Sequence, residues 1–267
     1  MWAENLLANE SSLRLSWFFG SIIFLALLEL LIPRRQNLYS KSFRWLNNFS
    51  LTFINTAIIR IIFVSAAIQV AATAASNHWG LLNAFPLPNS IHIIISFLFL
   101  DMCIYWQHRI FHRIPLLWRL HRVHHIDRDF DVSLSSRFHT IEIVLSMLIK
   151  MSLAIAFGLH PAGVLLFEIT LNTSSNFNHA NIYIPEKLDK WLQKIIVTPD
   201  MHRIHHSDFH KQTDSNFSFC ISLWDRLFGT YTVVPFDENP KITIGLKEYT
   251  DPQENRIDRM LINPFKN

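Results

Sequence analysis

Neutral histidine offers a nitrogen lone pair to a metal, and this chain concentrates histidine in two places. From Asp101 to His125 the sequence reads DMCIYWQHRIFHRIPLLWRLHRVHH, which spaces His108, His112, His121, His124 and His125 as HxxxH and then HxxHH. The second pattern recurs at His202, His205 and His206. Positions i, i+3 and i+4 share one side of a helix, so each HxxHH is expected to aim three imidazoles at one point. With 14 His among 267 residues, two copies of so tight a pattern are not expected by chance, and metal binding is the reading. Eight histidines in three motifs exceed the three or four that one zinc takes, so two metals with four or five nitrogens each fit better. No Glu lies between any pair, so HExxH is absent, as are GxSxG and GxGxxG. An all-imidazole metal pair suits oxygen activation by iron better than hydrolysis, which commonly adds a bridging carboxylate and a general base.

Whatever positions these rings is apolar. The chain is 50% hydrophobic and 17% charged, with 22 Phe and 8 Trp, a balance that indicates a membrane protein. The net charge of +3 is small and its basic residues flank apolar runs, so a nucleic-acid partner is not expected. Cys103 and Cys220 form no CxxC and read as two inert thiols. Residues 1–13 carry Glu4 and Glu10 and no basic residue, unlike a cleavable signal.

Apolar runs extend over Leu15–Ile32, Leu51–Ala75 (interrupted by Arg60) and Ile91–Trp106. Two further stretches, Ile141–Leu159 and Ala162–Thr173, are separated by His160-Pro161; the second is short, so a hairpin entering the membrane and returning is expected. The loop 33–50 is basic, and basic loops stay cytoplasmic. Threading the runs from there puts residues 107–140, His179 and the 202–206 cluster on that same side. Trp191–Val197 reads equally as an amphipathic surface helix or a buried core helix, and residues 236–267 as a peripheral tail without chemistry of its own.

The residues also carry a family likeness. Asp101, Tyr105-Trp106, His108-Arg109, His112 and Pro115–Arg119, followed by Asp131 and Arg137–Glu142, resemble the first blocks of the fatty acid hydroxylase/sterol desaturase superfamily, integral-membrane di-iron oxygenases. His179–Ile182, Thr198–His206 and Leu223–Tyr231 are similar to the later blocks, so the likeness spans about residues 90–235. It implies an all-α integral membrane fold of about four transmembrane helices or hairpin arms under a cytosolic histidine-rich helical cap. Residues 1–90 would supply N-terminal spans and residues 91–235 the catalytic domain. It also implies metal ligands at His108, His112, His121, His124, His125, His179, His202, His205 and His206. Some relatives have a further His where Ser175 stands here, and His139 is the candidate to replace it. Asp101, two helical turns before His108, is expected either to accept a ligand imidazole's free N–H or to pair with an arginine such as Arg109. Asp225 and Arg226 are expected to pair with each other in the cap. Trp106, Trp118 and Trp224 fit either an apolar substrate path or anchors at the membrane interface.

The implied activity uses two iron ions, O2 and external electrons to hydroxylate or desaturate a lipid such as a sterol or fatty acyl chain. Within 267 residues no fused cytochrome or flavin domain is expected, so a separate cytochrome or ferredoxin with its reductase would supply electrons. Zinc is an alternative occupant, and a membrane zinc-dependent lipid hydrolase is the competing reading.

Overall fold

Four of the helices in the computed structural model, which describes residues 2–63 and 66–266, are long and apolar enough to cross a membrane. In chain order the helices are α1 (Trp2–Ala8), α2 (Glu10–Leu31), α3 (Lys41–Ile62), α4 (Ala67–Ser76), α5 (Asn89–Arg113), α6 (Pro115–His125), α7 (Thr140–Phe157) and α8 (Pro161–Asn178). The shorter α9 (Glu186–Leu192), α10 (Pro199–His205), α11 (His210–Thr213), α12 (Leu223–Leu227) and α13 (Ile257–Ile262) follow. Among the described residues extended pairing is confined to isolated bridges, such as Pro33 with Ile182. The protein is an all-α, multi-pass membrane protein whose candidate spans are α2, the stretch Lys41–Ala84 that holds α3 and α4, α5 and α7.

The expected second run, 51–75, falls within the candidate span Lys41–Ala84, which comprises α3 and α4. Helix α3 starts ten residues earlier, capped by the Ser40 hydroxyl, which accepts from the Phe43 N–H. Its first half escaped hydropathy because Arg44, Asn47 and Asn48, in line with Asn55 further on, face protein and not lipid. Asn48 donates to Ser133 Oγ at 3.0 Å and Asn55 to the Phe138 carbonyl at 2.9 Å. Arg60 is exposed near the helix end, where a long side chain can reach the interface. Residues 64 and 65 of the expected run lie outside the described residues; beyond them α4 buries Ala67, Ile68, Ala71 and Ala74.

Helices α7 and α8 are joined at Gly158, φ +62°, a left-handed conformation that glycine adopts without strain. They do not pack as the expected hairpin: α4 packs against both, and α8 is the centre of the bundle, not a shallow arm. It packs against α2, α4 and α5, and Gly163 lets it approach α5: a Cβ there would lie 2.7 Å from Ser96 Cβ. Its buried Glu168 pairs with Arg14 of α2 and Lys150 of α7. An uncompensated carboxylate at this position would be expensive.

One end of the bundle is polar and carries the cap. There the loop after α2, the segment 126–139 and the chain beyond His179 interlock: Arg34 N–H donates to the Asn181 carbonyl, and the Leu38 and Tyr39 N–H groups to Asp129. The cap is held as much by buried ions as by apolar packing. Arg44, fully buried, grips Asp127 at 2.8 Å and also Asp131. Arg137 donates to the Val123 carbonyl at 2.7 Å and to Asn255. Arg203 is held by Asp200 and Asn239, and Arg34 by Asp200. Several cations of the basic loops are therefore structural.

Two expected elements differ. Helix α9 spans 186–192, and 193–197 is a turn leading into a bridge between Ile196 and Ile221. The C-terminal tail is not peripheral: Met260 packs with Leu51 and Val123, and Arg122 donates to Asn263 and to the Lys266 carbonyl.

Arg44→Ala would leave Asp131 without its cation and Asp127 with only Arg137, 3.6 Å away. A loss of about 3–5 kcal/mol is expected, the usual cost of breaking a buried pair. Thermal unfolding in lipid-containing micelles checks it. Lys41→Ala leaves the buried Glu29 with only the Val132 and Asn181 N–H groups and should cost about 1–3 kcal/mol, the penalty of a buried group left partly unsatisfied.

Candidate metal centre

Nine of the ten histidines expected as ligands converge at the junction of bundle and cap, in two adjoining groups. His108, His112, His121, His125 and His205 form one, and His124, His179, His202 and His206 the other. Within each group one nitrogen per ring lies within 4.8 Å of every other. Helix α5 supplies the HxxxH pair and α6 the first HxxHH. The C-terminus of α8 supplies His179, and α10 with its cap residue the second HxxHH.

Contrary to expectation, neither HxxHH motif aims its three rings at one point. In each, residues i and i+4 serve one group while i+3 serves the other: His121 and His125 against His124, His202 and His206 against His205. At 3.6 residues per turn, i and i+4 differ by about 40° around the helix, whereas i+3 falls about 100° from i+4. Each motif therefore straddles the two groups and ties them together. The rings of His125 and His206, one from each group, stack with centroids 4.5 Å apart.

The hydrogen bonds fix which nitrogen of most rings is free. His108 Nδ1–H donates to the Phe217 carbonyl, His205 to Ser215 and His179 to Ser175, each at 2.7 Å. His124 donates to the Arg137 carbonyl at 3.2 Å, and His121 to Glu142 Oε1 at 2.7 Å. A neutral ring that donates through Nδ1 carries only a lone pair at Nε2. Yet His108 Nε2 lies 3.0 Å from His121 Nε2, and His124 Nε2 lies 3.1 Å from His179 Nε2. His202 Nε2 is 3.1 Å from His179 Nε2 as well. Facing lone pairs repel unless a cation lies among them. Metal–nitrogen bonds of about 2.1 Å put neighbouring ligand nitrogens about 3 Å apart, which is the spacing seen. The buried nitrogens His112 Nε2, His125 Nε2, His205 Nε2 and both of His206 have no hydrogen-bond partner. The residues present thus fit two bound metals.

Burial keeps the rings neutral. It holds His205 down to about 3 and His179 to about 4, while donation to the Ser215 and Ser175 carbonyls pulls the other way. Burial, then the neighbouring imidazoles, pushes His124, His125, His202 and His206 well below the ordinary value. Aromatic rings supply much of that dry shell: Phe138 stacks on His124 at 4.3 Å, and Phe217 and Phe219 pack against His108.

Three expected roles fall elsewhere. His139 joins neither group: it N-caps α7, its Nδ1 accepting from the Ile141 N–H while its Nε2 faces the Leu261 carbonyl at 3.2 Å. Ser175 is not replaced by another imidazole; its carbonyl orients His179, and its buried hydroxyl has no partner. Asp101 touches no ligand ring and accepts instead from Trp224 Nε1 at 2.8 Å and the Ile221 N–H at 3.2 Å. Asp225 does not pair with Arg226: it accepts from the N–H groups of Phe217 and Ser218, while Arg226 lies over Tyr231. The carboxylate that does orient a ligand ring is Glu142. Its signal was present, since a Glu one turn into an apolar span needs a partner. Asp214 stands 3.5 Å from His112 Nδ1 in addition.

Of the three tryptophans, Trp118 lies against His112 and His125, with centroids 4.8 and 5.3 Å apart. A hollow of about 520 Å³, lined by His112, Trp118, Asp214, Lys247 and Tyr249 among others, opens beside His112. His78, His92, His160 and His210 stay outside both groups; His92 bonds the Gly158 carbonyl at the far end of α5.

Residues 93–230 match the family described as fatty acid hydroxylase, just over half of the chain. The chain belongs to the fatty acid hydroxylase family. Human alkylglycerol monooxygenase is 28% identical over 57% of this chain and 32% of its own length. An ornithine lipid hydroxylase from Rhizobium tropici is 24% identical over 89% of the chain and 73% of that protein. Human lathosterol oxidase is 32% identical over 52% and 44%. The matched part of this fatty acid hydroxylase family member spans about a third of the alkylglycerol monooxygenases. No solved structure matches the chain.

Glu142→Gln is expected to weaken metal binding at the five-histidine group by about 10–100-fold, as loss of a ligand-orienting carboxylate typically does, whereas His139→Ala leaves it unchanged; metal titration of stripped protein in lipid measures both. Acid should also act on the stripped protein. Its buried rings bind fewer protons than the unfolded chain below the ordinary histidine value of 6.5, so protons favour unfolding. Stability is expected to be full above about pH 6.5 and to decline steadily toward about pH 4. Denaturant midpoints across that range report it.

Proposed function

We propose that this chain is a di-iron lipid oxygenase that uses O2 and external electrons to hydroxylate or desaturate an unactivated C–H bond. The observation that supports it best is the set of bare, inward-facing imidazole nitrogens, five and four, with no carboxylate in either group. Iron in such a nitrogen shell supplies O2 activation when bound. The part played by the protein follows from its own contacts. The carbonyls of Phe217, Ser215, Ser175 and Arg137, together with Glu142, lock ring tautomers and orientations. The phenylalanine shell excludes water, and burial keeps the rings unprotonated and ready to ligate.

The relatives' names support a lipid substrate without selecting one: an alkylglycerol, an ornithine lipid and a sterol all occur among them. The ligands proposed are His108, His112, His121, His125 and His205 for one ion, and His124, His179, His202 and His206 for the other. The basic loop 33–50 supports a cytosolic position for the cap, where a separate cytochrome- or ferredoxin-type donor with its reductase can reach it. A zinc hydrolase would need a free general base. Glu142 Oε1 is committed to His121 and Asp101 to Trp224, which leaves Asp214, 3.5 Å from His112 Nδ1, as the base that reading would need.

Iron-loaded protein in lipid bilayers, given a reductant and a lipid extract, is expected to consume O2 only when both are present and to incorporate an atom of labelled O2 or form a double bond. His205→Ala should abolish uptake. Lipid cleavage without O2 uptake would overturn the proposal.

A further inference from the structure

The side of the cap beside α5 presents apolar side chains that nothing else among the described residues covers. Leu188, Trp191, Ile195, Leu223 and Leu227 are each between 47% and 63% exposed. They belong to two segments locked into one surface. The Ser222 N–H donates to the Ile195 carbonyl, the Val197 N–H to the Cys220 carbonyl, and Ser222 Oγ to the Gln193 carbonyl at 2.6 Å. Helix α9 with its following turn and helix α12 therefore move as a unit.

The attachment of that unit sets its depth. Helix α12 is fastened to the body of a span and not to its polar end. Trp224 bonds Asp101, and Phe228 stacks on Tyr105 with centroids 5.3 Å apart while lying 4.8 Å from Trp106. Asp101 precedes the end of α5 at Arg113 by twelve residues, about 18 Å of helix rise. The neighbouring outer side of α5 is itself apolar, exposing Ile94, Leu98 and Trp106. The α9–α12 patch thus continues a lipid-facing band.

Its rim is cationic. Lys187 and Lys194 are exposed and Arg226 is half-buried. Of the nearby acids, Glu186 is paired with Lys190 at 2.6 Å, and Asp189 and Asp225 are buried. Apolar side chains ringed by cations match the headgroup–acyl boundary of a bilayer.

We propose that the α9–α12 face is seated in that boundary, so that the cap is wedged into the leaflet beside α5 instead of standing above it in water. Asp101 lies only seven residues before His108, about 10 Å of rise. The seated face therefore holds the histidine groups close to acyl-chain depth. The inference rests on the membrane fold alone and not on the oxygenase reading.

Nitroxide labels on Leu188→Cys, Ile195→Cys and Leu227→Cys, in a Cys103→Ser background where Cys220 is buried, test it by electron paramagnetic resonance. The protein is placed in vesicles of phosphatidylcholine with phosphatidylglycerol, and Asp251→Cys on the cap surface serves as control. At the three patch sites collision with O2 should exceed collision with a water-soluble nickel chelate, with the order reversed at Asp251. Adding Lys187→Glu and Lys194→Glu should shift the Leu227 label toward the aqueous pattern. Any one patch variant that folds suffices for the reading. Nickel-dominated collision at the patch would overturn the proposal by placing it in water. Shielding from both probes would overturn it by showing that a second copy or another protein covers the face.

Discussion

Facing nitrogen lone pairs constrain everything around them. Nine imidazoles are crowded into a dry volume with nitrogens facing at 3.0–3.1 Å, and only cations between their lone pairs turn repulsion into attraction. Without metal the rings would gain by swinging apart or taking up protons. The fold prevents the first by pinning Nδ1 of five rings to carbonyls or to Glu142, and burial opposes the second. The backbone that offers those carbonyls must then be rigid. It is rigid because Asp225 gathers the N–H groups of Phe217 and Ser218, and because Arg137, whose own carbonyl holds His124, is clamped to Val123 and Asn255.

This explains an otherwise costly choice of material. A cap built only from apolar contacts could tolerate small slips between segments, whereas paired charges in a dry interior are directional and lose heavily when displaced. Arg44 binds the first half of α3 to the 127–131 turn, Arg203 and Arg34 share Asp200, and Glu168 joins three bundle helices. The bundle below is apolar apart from that Glu168 cluster. The polar network is concentrated where position matters most.

The histidine motifs and the alternation of apolar runs with basic loops were enough to read the membrane class, the family and a histidine cluster able to hold metal. What escaped has physical reasons in each case. Spacing says which residues share a helix side but not where a second helix stands, so the division of each HxxHH between two groups was hidden until α6 and α10 were placed against each other. His139 looked like a ligand because its residue type is right, but at the start of α7 a ring nitrogen is useful to the unpaired Ile141 N–H. Asp101 and Glu142 are both buried carboxylates near ligands along the chain, and only the fold shows that Glu142 faces a ring while Asp101 faces Trp224. Hydropathy misplaced α3 because its polar residues face protein, and it understated α8, the most enclosed of the long helices, for the same reason. The tail looked empty because its contribution is packing against Val123 and Arg122, which lie far away in the chain.

The central claim is that the histidines form two separate metal sites, of five and four nitrogens. Anomalous scattering from crystals of the iron-loaded protein, recorded on either side of the iron absorption edge, tests this most directly. Two iron peaks are expected, one enclosed by His108, His112, His121, His125 and His205, the other by His124, His179, His202 and His206. A single peak shared by both groups, or iron bound elsewhere while the rings hold none, would contradict the account.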